Sequence, residues 1–276
     1  MEIQMPIPYL SNEGNIYKYI EIKKPSGQVL ADTRDAIDRT NEFNAMRVFV
    51  AGCTESIASE NETITDSVAI KSMLGKISNK TLEYLSAMIM VDYYDGEDYI
   101  EGVYPCPRCG TSVVSEKSDA DGVEIDTRDR ITDLHVGFME DIKDMQRTIS
   151  FTPVELRSRK TVDEVSEVTL RMPTTNDYIK AFQQGGQNMI KIQFQVYGDC
   201  IIKANGVDVD DTWRRSYGYK LFATLTDFKK VFKEIGDWLN AYGLDPEVEK
   251  ICRNQSCGKV FNAIINSSNF FASALQ

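Results

Sequence analysis

The sequence predicts an α+β protein built from two similar halves that share one four-cysteine zinc site. Three observations carry that expectation. Two cysteine pairs, Cys106/Cys109 and Cys252/Cys257, are each followed at once by glycine. Two alternating, strand-like segments each end in proline, at Pro25 and Pro173. The interval from proline to cysteine pair is 81 residues in one half (106 − 25) and 79 in the other (252 − 173). Strand, proline, helices, acidic turn, cysteine pair and glycine thus recur in one order, which is the pattern of a duplicated unit. The boundaries that follow are 1–110 for the first half, 111–165 for an acidic insertion or linker, and 166–276 for the second half.

The elements follow in order. Tyr17 to Lys24 alternates apolar and polar residues as a half-buried strand does, and Pro25 cannot continue the ladder. Ser26-Gly27 turns the chain, and a helical region is expected from Asp35 to about Ile57, carrying Ile37, Met46, Val48, Phe49 and Val50. A further helix begins near Thr65 or Asp66 and is interrupted at Gly75. The next begins at Ser78 or Asn79 and sets Leu82, Leu85, Met88 and Ile89 on one face. Residues 111–160 are rich in Asp, Glu, Ser and Arg, with one apolar island from Leu134 to Met139 able to dock onto the body or a partner.

In the second half, Glu167 to Met172 is again an alternating strand. Thr174 caps a short helix through Phe182 that Gly185-Gly186 stops. Met189 to Val196 alternates strictly, with Ile190, Ile192, Phe194 and Val196 on one side, and predicts a strand. Asn205-Gly206 has the form of a hairpin turn. From Thr226 to Tyr242, Phe228, Val231, Phe232, Ile235, Leu239 and Tyr242 form a helical stripe, and Gly243 supplies the stop.

The 276 residues carry a net charge of −11, a field that repels a phosphate backbone, so no nucleic-acid partner is expected. No run approaches the roughly 18 apolar residues that would span a bilayer, so no membrane insertion is expected. The opening Met1-Glu-Ile-Gln-Met-Pro6 lacks the basic start and apolar core of a secretory signal, which suggests a reducing cytoplasm. Cys53 and Cys200 lie alone in apolar segments and read as buried thiols.

Cys106-Pro-Arg-Cys109-Gly reads as a zinc knuckle: two thiolates two residues apart can face one tetrahedral ion, and glycine permits the tight turn. A closed structural site needs four ligands, and Cys252 and Cys257 supply the second pair, with a looser gap. The alternatives are two unrelated thiol pairs, or a redox Cys-x-x-Cys. A redox pair would want a helix N-terminus, and Pro105, Pro107 and Gly110 look more like a knuckle. His135, the single histidine, could replace one cysteine but reads as a loop residue. The carboxylates of Asp119 to Asp126 do not match a calcium loop. One histidine, with neither a Walker loop nor a GxGxxG after a strand, gives no support for catalysis, so no enzyme is expected. Trp213-Arg-Arg-Ser-Tyr-Gly-Tyr219 has the composition of a contact surface, or of packing around a helix start.

The Pro25-Ser26-Gly27 turn after an opening strand, a helical middle, and the ending Cys252-x4-Cys257-Gly-Lys-Val-Phe261 followed by Asn269-Phe270-Phe271 resemble a phage family. That family comprises baseplate hub subunits of T4-like contractile-tailed phages and related tail-assembly chaperones. This chain departs from it by carrying the plan twice, with an acidic insertion between. The resemblance implies a non-enzymatic virion or assembly protein that contacts hub, tube or tape-measure proteins. It would act in the host cytoplasm during assembly and then in the tail baseplate. Trp213, Phe270 and Phe271 are the expected partner-binding residues. Without the resemblance, the residues fit a zinc-stabilised cytoplasmic adaptor that binds another protein.

Overall fold

In the computed structural model, two four-stranded antiparallel sheets are each covered by helices, a mixed α+β architecture as predicted. The structure describes residues 1–264 apart from 94–98, 101, 116, 121–122, 127, 158–161, 187 and 246.

The first sheet has the order β1-β2-β3-β4, from β1 (Glu2–Leu10), β2 (Ile16–Ile22), β3 (Thr54–Ser59) and β4 (Thr63–Ile64). β2 is the expected strand, but it buries Tyr17, Ile20 and Ile22, because a register shift between Tyr17 and Tyr19 in its pairing with β3 breaks the alternation. β1 was not expected, because Pro6 and Pro8 interrupt it; it is tolerated as an edge strand whose pairing with β2 shifts between Gln4 and Tyr9. The single helix expected from Asp35 to Ile57 is instead two helices and a strand. α1 (Gly27–Arg39) starts at Ser26, whose side chain accepts the Val29 N–H, and α2 (Glu42–Cys53) starts at Asn41, which accepts the Asn44 N–H. The chain then turns into β3 at Thr54. α3 (Ser67–Lys76), capped by Asp66, runs through Gly75 rather than breaking there. α4 (Asn79–Tyr93) buries Leu82, Leu85 and Ile89 as predicted.

Seven short strands follow: β5 (Tyr99–Ile100), β6 (Gly102–Pro105), β7 (Ser112–Ser115), β8 (Lys117–Ala120), β9 (Val123–Asp126), β10 (Asp129–Arg130) and β11 (Val136–Gly137). The apolar island docks onto the body: the Met139 N–H donates to the Pro6 carbonyl at 2.8 Å, and β11 pairs with β16 (Gly243–Leu244).

The second sheet has the order β12-β13-β14-β15, from β12 (Gln146–Arg157), β13 (Val162–Arg171), β14 (Ile201–Ala204) and β15 (Val207–Asp208). β12 lies inside the segment read as a linker. Its Ile149, Phe151, Val154 and Leu156 are buried, but a register shift between Ser150 and Val154, at Pro153, breaks the alternation. α5 (Thr175–Gly185) begins with a capping box, in which Thr174 and Asp177 satisfy each other's backbone N–H groups. The predicted strand Met189–Val196 is a helix, α6 (Met189–Asp199), capped by Asn188. Ile192 and Val196 are buried four residues apart, whereas Ile190 is exposed, so the alternation was shared between two helix faces. Asn205 and Gly206 form the β14–β15 turn, both with positive φ. α7 (Asp211–Trp213), a π-helical turn over Arg214–Gly218, α8 (Tyr219–Thr224) and α9 (Phe228–Asn240) complete the helices, α9 close to its predicted bounds.

Two apolar cores result, one under each sheet, and α5 packs against both. Tyr178 stacks on Phe43 of α2 at 5.1 Å, and Phe182 meets Phe43 edge-on at 5.3 Å. The Thr175 N–H donates to the Ile77 carbonyl at 2.9 Å, and Arg47 donates to the Asn176 side chain at 3.0 Å. Arg171 anchors α5 from β13 with a two-pronged bond to Asp177, at 2.7 and 2.9 Å. Burial pushes the Asp177 carboxyl up, but Arg171 and the Thr174 donors outweigh it and hold the acid below its ordinary range.

Asp177→Asn should therefore cost about 2 kcal/mol, less than the ~3–5 of a fully buried pair because the Arg171 side chain is 36% exposed. Because the folded-state pKa is depressed, the wild-type advantage is complete above the unfolded pKa and is lost as pH falls through the folded value. Urea unfolding of both proteins from neutral to acid pH should show the gap closing below about pH 4.

Candidate metal centre

Each cysteine pair sits at the tip of a two-stranded hairpin. β6 and β7 carry the first, with Pro105 opposite Ser112; β17 (Glu247–Ile251) and β18 (Val260–Ile264) carry the second, with Ile251 opposite Val260. The tips are built alike. The Cys106 N–H donates to the Thr111 carbonyl and the Cys252 N–H to the Lys259 carbonyl, both at 2.9 Å. Gly110 and Gly258 follow at φ +73° and +52°, conformations strained for any residue with a Cβ. The wider second gap is absorbed by a turn in which the Cys257 N–H donates to the Asn254 carbonyl at 2.8 Å. The Asn254 side chain reinforces this turn by accepting the Ser256 N–H at 3.0 Å.

The four sulfurs lie within 4.8 Å of one another. Cys106 and Cys257 Sγ are 3.8 Å apart, and Cys109 and Cys252 Sγ 3.5 Å. A tetrahedral ion with metal–sulfur bonds of about 2.3 Å separates its ligands by about 3.8 Å. A disulfide needs about 2.05 Å, and all four thiols are free. Sequence and structure thus agree on which residues meet, and the arrangement fits a metal ion held by four thiolates.

The surroundings favour ionised sulfur at the first tip. The Thr111 hydroxyl, 3.3 Å from Cys109 Sγ, and the Thr111 N–H hold the Cys109 thiol down to about 6. For Cys252, the N–H of Asn254 favours the thiolate, but burial and the neighbouring cysteines together push the thiol up to about 12. Four thiolates this close repel one another, and a divalent cation removes that conflict.

Cys106 and Cys252 are buried in the first core beside Tyr104, Val113, Phe261 and Ala263, so the C-terminal hairpin packs on the first half. Lys250 locks it there, 2.7 Å from both carboxylate oxygens of Asp129 and 5.3 Å from the Tyr104 ring centre. Thr111, Asn254, Lys250 and Asp129 were missed by the sequence reading. Asn254, a turn former three residues before a cysteine, was the one visible signal.

The other expected site residues lie elsewhere. His135 is exposed and outside the cysteine group; its carbonyl accepts the Asp245 N–H at 2.9 Å. Trp213 is half-buried against the second core, 5.6 Å from the Tyr217 ring. Phe270 and Phe271 lie outside the described residues. Cys53 and Cys200 are fully buried, with burial pushing both thiols up, Cys53 to about 12. Among the described residues, no helix is long and apolar enough to cross a membrane. Comparisons with protein-family models, with characterised proteins and with solved structures found no match.

Protein purified without chelator should carry one metal ion per chain by elemental analysis. Cys252→Ser should lose most of it, because three thiolates hold a soft ion far less tightly than four. A metal-free wild-type preparation would contradict the site.

Proposed function

We propose that this chain is a non-enzymatic structural or assembly protein of a phage-type tail baseplate, made of two related halves clamped by one zinc ion. The observation that carries the structural role is the cysteine set itself. Its four thiols come from the middle and the C-terminal region of the chain and leave no coordination position for a substrate or water, as in closed structural sites. Zinc suits an all-thiolate tetrahedron and brings no redox chemistry.

Support for related halves comes from matching details. The sheets have the same strand order, and Asn41 and Asn188 cap corresponding helices. Both α2 and α6 end at a buried cysteine whose carbonyl accepts from the preceding strand's end: Lys23 to Cys53 at 2.8 Å, Arg171 to Cys200 at 2.9 Å. The baseplate assignment rests on the Pro25-Ser26-Gly27 turn and the closing cysteine and phenylalanine run.

Antibody against the chain should label the baseplate end of tails in lysates of cells producing the particle. Deleting Asn269 to Gln276 should leave a folded, zinc-bearing chain that no longer joins them. If the chain stays apart from every tail protein, the baseplate reading fails and a zinc-stabilised adaptor takes its place.

A further inference from the structure

We infer that a second copy of this chain docks its α1 helix onto an open apolar surface formed by α6, α8 and α9, joining copies head to tail. The inference rests on the two related halves proposed above, because the first half supplies the template. There, α2 and α4 present Phe43, Arg47, Asn79 and Glu83, and α5 covers them with Asn176, Tyr178, Ile179 and Phe182.

The helix caps fix the equivalent residues. Counting from Asn41 and Asn188, Phe43 corresponds to Ile190 and Arg47 to Phe194. Counting from the first residues of α4 and α9, Asn79 corresponds to Phe228 and Glu83 to Phe232. Phe43 is 7% exposed beneath α5, whereas Ile190 is 56%, Met189 53% and Phe228 42% exposed.

The helix that α5 corresponds to is α1, capped by Ser26 as α5 is by Thr174. In place of Asn176, Tyr178, Ile179 and Phe182 it offers Gln28, Leu30, Ala31 and Arg34. Aromatic bulk has thus moved from plug to surface. A small plug against Phe194, Phe228 and Phe232 fills a volume comparable to that of a large plug against Arg47, Asn79 and Glu83. Charge agrees as well. Lys191 and Lys229 are exposed on α6 and α9, and Asp32 and Asp38 are exposed on α1, whereas Lys233 and Asp35 are already paired with Asp237 and Arg39 of their own helices. The two patches differ, so the contact is heterologous and extends into a ring or an open chain.

Light scattering on the zinc-loaded full chain should show average mass rising with concentration. Ile190→Asp and Ala31→Arg, both at exposed positions, should each leave a monomer with wild-type circular dichroism and zinc content. Mixing the two variants should restore a dimer, because one supplies an intact surface and the other an intact α1. A wild-type chain that stays monomeric over its soluble range overturns the inference, and so does association that neither variant weakens. If each variant blocks association and the mixture stays monomeric, head-to-tail joining is wrong. Whether the halves superpose is read separately from an experimental structure, so failure here does not decide that point.

Discussion

Four sulfur atoms within 4.8 Å join segments of chain 143 and 151 residues apart, and the rest of the architecture is arranged around that closure. Closing a loop of that length costs about 4 kcal/mol in chain entropy. Structural zinc sites of this ligand type bind with about 10–16 kcal/mol at neutral pH, so an ion of that kind held here would offset the closure. The thiols without a cation are at odds with one another. One is held down to about 6 by Thr111, while another is pushed up to about 12 through burial and its neighbouring thiols, against the pull of the Asn254 N–H. A cation among the four sulfurs would relieve that conflict, adding to the Lys250–Asp129 pair and the buried Phe261 and Ala263 that already seat the C-terminal hairpin on the first core.

The two apolar cores are tied by α5, and this tie is less well finished. Tyr178 and Phe182 supply apolar contact with both cores, yet Arg47 Nε and Asn79 Oδ1 at the same joint are buried without a hydrogen-bond partner. Each such group costs about 1–3 kcal/mol. Burial also pushes the Glu83 carboxyl above its ordinary range beside this joint. The contact between the two cores is therefore mixed in character, part aromatic packing and part incompletely satisfied polar groups.

The site was legible because its chemistry is local: two thiols at knuckle spacing followed by glycine prescribe a turn wherever they occur. Helices with a full stripe and a cap, such as α4 and α9, were legible for the same reason. What escaped depended on distant partners. β1 contains two prolines and is a strand only because β2 lies beside it. β12 hides its alternation behind a register shift in a polar stretch. In α6, Ile190, Ile192, Phe194 and Val196 satisfy both a two-residue and a four-residue period, and the Asn188 cap decides between them. Phe194 meets Phe232 and Tyr219 edge-on, contacts no window of sequence contains.

The two ends of this arrangement are not equivalent surfaces. Stacked units need a polar outer face at each end if they are to stop there. α1 meets that need, exposing Gln28, Asp32, Asp35, Asp38 and Arg39 while Thr33 faces inward. The α6–α9 end does not, because residues that would face a neighbouring helix are isoleucine, methionine and phenylalanine left in solvent. Leaving them there is unfavourable by roughly 25 cal/mol for each Å² of apolar area, which no contact among the described residues recovers. The four grouped cysteines and the uncovered apolar end thus lie in different parts of the fold, the first tying residues 106–109 to 252–257 and the second facing outward from α6 and α9.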